Sequence, residues 1–151
     1  MEWTPTIESR TKEDAVEARA GELNSKGVFG LSDWNRILGN QTYLARLIEI
    51  LLDKDSGLIE FLEKDESGYL TEEEFNDMIR NVRKLFYNAG VNSDCNLHPT
   101  FESGLTADST KVPNYVTINL IEQYLHTVKL ALDALRICGE PICSENQIDI
   151  L

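Results

Sequence analysis

The sequence predicts an all-α protein: three main helices from a degenerate internal repeat, with a short N-terminal helix and a long loop before the last helix. Apolar residues recur at alternating three- and four-residue spacing in three stretches, as a helix with one buried stripe requires. Those stretches align, because Trp34, Phe75 and Ile118 fall into register at steps of 41 residues (75 − 34) and 43 residues (118 − 75). Breaks rich in Gly, Pro, Ser and Asn separate them, and self-similarity at such a period marks a repeated structural unit.

The register holds at five apolar-face positions: Trp34/Phe75/Ile118, Ile37/Met78/Ile121, Gln41/Val82/Leu125, Leu44/Leu85/Val128 and Ile48/Ala89/Leu132. Any amphipathic helix yields an apolar register, so other residues must carry the repeat. Asn35, Asn76 and Asn119 follow the first position each time, and the first two copies share Gly27/Gly68 and Asn40/Asn81.

Taken in order, residues 1–10 contain Pro5 and no helical period, so they read as an extended arm. Thr11 followed by Asp14 predicts a capped helix over about 12–24, thinly apolar and leaning on the rest. Gly30 or Ser32 is placed to cap the second helix, expected over 32–53, with Gln41 as the one polar break in its stripe. Thr71 and Glu74 have capping-box spacing and open the third helix, expected over 72–89, which Gly90 ends. Residues 91–113 read as a long loop, and the last helix is expected over 115–137. Its strict stripe suits nearly antiparallel neighbours. Residues 11–138 thus form one helical domain, and 139–151 a tail without helical period.

A length of 151 residues suits one domain with a sizeable core. The net charge of −12 disfavours a nucleic-acid partner, whose phosphates are bound chiefly by Lys and Arg. Three cysteines, Cys95, Cys138 and Cys143, imply no disulfide framework. The start MEWTPTIESR lacks a signal-peptide layout, and the run Leu44 to Leu52 is cut by Arg46 and Glu49. Neither signal-directed export nor membrane insertion is expected.

Upstream Trp3, Pro5, Arg10-Thr11 and Asp14 are followed by Asp33-Trp34-Asn35-Arg36-Ile37, completed by Asn40, Tyr43 and Leu44. This arrangement resembles the repeated D-x-N-R-I-x-x-N-x-x-Y-L helical segments of tail and baseplate-associated proteins of tailed bacteriophages and prophages of Gram-positive bacteria. The likeness covers residues 1–48 and loosens afterwards: Asp77 stands at the Arg36 position and Lys84 at the Tyr43 position, while copy three has Leu120 for the arginine. The resemblance implies a virion structural or attachment protein, made in the bacterial host cytoplasm and placed in the virion tail. It supplies no catalytic residue. The partners it implies are other phage tail or baseplate proteins in an oligomeric particle.

Residues 63–74, EKDESGYLTEEE, can be written on an EF-hand loop: Glu63, Asp65 and Ser67, the Tyr69 carbonyl, Thr71 and Glu74 would be the calcium ligands. Position one is a long Glu where a short Asp normally begins the loop, and an acidic turn with a capping box explains the same residues. A calcium-binding interaction module is therefore the alternative reading. Cys95, His98, Cys138 and Cys143 add up to four zinc ligands only on paper, because the two halves lie far apart. His126 falls off the stripe and reads as a solvated residue. No phosphate loop, nucleophile elbow or H-E-x-x-H segment occurs, so neither catalysis, a cofactor nor a metal is expected. Trp3, Pro5 and Phe101 are the candidate partner-binding residues, since the arm and the long loop place apolar groups outside the stripes. Removal of the arm is expected to leave the helices intact.

Overall fold

A computed structural model describes residues 2–21, 29–61, 64, 71–90 and 115–138, with residues 137 and 138 described by backbone alone. It is all-helical over those residues: α1 (Lys12–Arg19), α2 (Leu31–Leu52), α3 (Glu72–Asn88) and α4 (Tyr115–Cys138). The long loop expected over 91–113 and the tail from 139 lie outside the described residues.

Helices α1, α2 and α3 begin where local chemistry satisfies their free amides. The Thr11 hydroxyl accepts from the Asp14 amide while the Asp14 carboxylate accepts from the Thr11 amide. Thr71 and Glu74 repeat that exchange at α3. At α2 the cap is Gly30, which has no side chain, so only the return half forms: its amide donates to Asp33 Oδ2 at 3.1 Å. Helix α2 ends at Asp53, whose left-handed φ of 51° stops the helix while its amide still reaches the Glu49 carbonyl; Asp tolerates that conformation better than most residues. Gly90, at φ 75°, follows the cap of α3 as expected. Helix α1 is shorter than expected, stopping at Arg19, and it buries no residue, so it lacks the packed apolar face that sustains a longer helix.

All fifteen residues of the five-position register are buried, so each long helix turns its expected stripe into the shared core. The polar break is satisfied, since Gln41 Nε2 donates to the Met78 carbonyl of α3 at 3.0 Å. The asparagine register does not hold equally: Asn35 is exposed whereas Asn76 is buried. Asn40 and Asn81, by contrast, share both burial and role.

The three long helices run parallel, correcting the antiparallel expectation. Residues 56, 57 and 59 bond in turn to Asn88, Lys84 and Asn81, so the chain leaving α2 travels backwards along α3. Phe29, just before α2, meets Phe75 at the start of α3 with ring centroids 6.2 Å apart, so these two helices begin together and end together. Arg36 pairs with Glu122, and Trp3 touches both Tyr43 and Lys129, so α2 and α4 advance in step. Between α2 and α3 an extended return segment, rather than a tight hairpin turn, makes the parallel course reachable.

Candidate functional site

The arm is extended, as expected, but it is built into the bundle. Thr4 donates its amide to Asn40 Oδ1 at 3.0 Å, and Asn40 Nδ2 donates back to the Thr4 carbonyl at 2.8 Å. One amide side chain thus satisfies both main-chain groups of an extended residue. Asn81 does the same for Ile59, at 2.8 Å in both directions, and Asn119 does it for Arg10, at 3.1 and 2.9 Å. Asn40 and Asn81 occupy equivalent repeat positions, so the first two copies share an extended segment laid back along a helix and held by its asparagine.

Trp3 is half-buried against the core, 5.9 Å from the Tyr43 ring, with Lys129 Nζ 5.7 Å from its centroid. Much of its surface is therefore spent inside the molecule, whereas Pro5 is exposed. Phe101 lies outside the described residues.

At the far end of the arm, Arg10 enters a buried ring of four charges. It donates to Asp33 Oδ1 at 2.9 Å and to Glu122 Oε2 at 2.7 Å. Arg36 closes the ring, bonding Asp33 Oδ1 at 2.7 Å and both Glu122 oxygens at 2.6 and 3.1 Å. Arg10 also donates to the Ile7 carbonyl, and Asp33 Oδ2 holds the Gly30 amide. Two guanidiniums face two carboxylates, so the charges cancel and the polar atoms are shared out, the condition under which buried ions are tolerated. Burial alone would lower the Arg36 guanidinium, but hydrogen bonds to Glu122 and Asp33 outweigh it and hold it above its ordinary value. The ring joins the arm, α2 and α4. Glu122 is fully buried between stripe positions, and its charge at the most apolar helix was the one sequence signal that a guanidinium must meet it.

Glu8 meets His126, Oε2 to Nδ1 at 3.0 Å, so the histidine expected to be solvated is partly covered by the arm. Of the calcium-loop residues, Glu63, Asp65, Ser67 and Tyr69 lie outside the described residues. Thr71 and Glu74 are described, and Glu74 is occupied as a helix cap: it accepts from the Thr71 hydroxyl at 3.0 Å and pairs with Lys64 at 2.8 Å. Cys95, His98 and Cys143 lie outside the described residues too, and of Cys138 only the backbone is described. An open cleft of about 410 Å³ at the end of α2 is lined by Thr42, Arg46, Glu49, Asp53 and Asp55 among others, carrying both signs of charge and no apolar anchor. Among the described residues no helix is long and apolar enough to cross a membrane.

Chemically, the ring is poorly suited to turnover. Each carboxylate is committed to guanidiniums and closed to solvent, so neither is free to take a proton from a substrate. Comparison of the chain with protein-family models, curated proteins and solved structures returned no match.

Proposed function

We propose that this protein is a non-enzymatic structural component of a phage or prophage tail or baseplate, acting by assembly with other virion proteins or as an attachment adaptor. One observation carries the reading. The residues that give the chain its likeness to tail proteins converge on a single joint: Asp33 and Arg36 in the charge ring, Asn40 on the Thr4 backbone and Tyr43 on Trp3. A motif spent on holding the chain's own arm is a scaffold motif, which suits a part that must keep its shape while others bind it. Exposed Ile50 and Tyr87, near the end where α2 and α3 both finish, offer contact surface of the kind a partner covers. The partners are tail or baseplate proteins, and the location is the virion tail after synthesis in the host cytoplasm.

The test is mass spectrometry of purified tail particles from cells that express the chain. Stoichiometric recovery with intact tails supports the reading. A chain found free in lysate and missing from washed particles would sink it.

A further inference from the structure

We infer that the groove between α2 and α4 accepts residues 2–10 of a second copy of this chain, so that two copies join by exchanging arms. The groove makes four demands of its occupant. Asn40 and Asn119 each need an extended main-chain amide and carbonyl, Tyr43 needs a ring, and the Asp33 and Glu122 carboxylates need a guanidinium. Thr4, Arg10 and Trp3 meet all four from within nine residues of chain. Any further copy carries the same segment.

Helix α1 can travel with the arm at little cost to the core. Helix α1 buries no residue and leaves Val16 54% exposed, so α1 moving with a departing arm exposes no core. Residues 11–28 separate the docked Arg10 from Phe29, which packs on the core just before α2; with the eight residues of α1 kept helical at ~1.5 Å each and the other ten extended at ~3.3 Å each, the stretch can reach about 45 Å. That length reaches the chain's own groove or a neighbour's with equal contacts at the end. The balance is then set by concentration: a short tether holds the arm at an effective concentration on the order of millimolar, so exchange competes at comparable protein concentration or within an ordered array. Because Arg10 must leave a buried ring, exchange is slow unless the chain is partly unfolded. The inference stands on the groove geometry and does not depend on the tail assignment.

The experiment uses full-length chain refolded from denaturant at about 1 mM, the range in which tether and partner compete, and then diluted for sedimentation velocity. Wild type should yield a dimer that persists on dilution. Two variants locate the joint: Trp3→Ala with Arg10→Ala strips the arm of its anchors, and Asn40→Ala with Tyr43→Ala damages the groove. Circular dichroism checks that each keeps its helices, and the single substitutions Trp3→Ala and Tyr43→Ala replace any pair that does not. Each variant alone should lose the dimer, and mixing them before refolding should restore it as a heterodimer, whose one complete site joins an intact arm to an intact groove. A wild-type chain that stays monomeric, a dimer formed equally well by the arm variant alone, or a mixture without heterodimer would each overturn the inference.

Discussion

At the scale of single residues, the buried ring and the asparagine clamps decide stability in different ways. Removing one member of a buried ion pair leaves its partners' charges uncompensated, at a cost of about 3–5 kcal/mol. Glu122 is fully buried and holds two guanidiniums, so Glu122→Ala should lose stability in that range in denaturant melts, with little change on adding salt. Lys129 and Asp133, a partly exposed pair on the same helix, should contribute about 0–1 kcal/mol. The clamps give a second prediction that separates true repetition from coincidence. Asn40→Ala and Asn81→Ala each strip two hydrogen bonds from a partly buried main chain and should each cost roughly 1–3 kcal/mol. Asn35→Ala, at an exposed position, should stay within about 0.5 kcal/mol. Equal losses at all three would show that the clamps do not hold the extended segments.

At the scale of elements, the helices were legible because their causes are local: caps, stripes and breaks lie within a few residues of one another. Trp34 is 3% exposed and meets Phe61 edge-on with centroids 5.3 Å apart, so Trp34→Ala should cost about 3–5 kcal/mol in the same melts. A loss under about 1 kcal/mol would remove Trp34 from the core and the register with it. The cap of α3 adds a pH dependence. The hydrogen bond from Lys64, with those from Thr71, outweighs partial burial and holds the Glu74 carboxyl below the ordinary carboxylate range. A group with a depressed folded value stabilises above its unfolded pKa and loses that contribution as pH falls through the folded value. Wild type should therefore exceed Glu74→Gln in melting temperature near neutral pH, the gap closing in acid. A gap that stays constant into strong acid would assign the effect to packing. The parallel course of α2, α3 and α4 was not legible, because stripe spacing tells which face is buried and is silent on which way the neighbour runs.

At the scale of the whole molecule, the site was legible in its parts and hidden in its joining. Asp33, Arg36, Asn40 and Tyr43 stood out as a motif, but nothing within the motif says that its partner is the arm, since the pairing residues lie 23 to 112 positions away from Arg10 and 36 from Thr4. The same gap explains why residues 1–10 looked detachable: an extended segment has no periodicity to reveal which face it covers. The docked arm reverses that expectation. Deleting residues 1–10 removes Arg10 from a ring in which Asp33 and Glu122 would then share Arg36 alone, a change of the kind that costs about 3–5 kcal/mol. It also frees Asn40 and Asn119 from their main-chain partners and uncovers the Tyr43 ring. Folded domains hold a margin of only about 5–15 kcal/mol, so the truncated chain should unfold at clearly lower temperature or denaturant, or lose its cooperative transition. Arg10→Ala in the full-length chain isolates the ring's share and should reproduce a large part of the loss. If the truncated chain melts like wild type while Arg10→Ala is also neutral, the arm is a covering strap and the ring does not need it. If only the truncation is neutral, Asp33, Arg36 and Glu122 satisfy one another once the arm is gone, and the cost of Arg10→Ala lies in an arm held in place without its guanidinium.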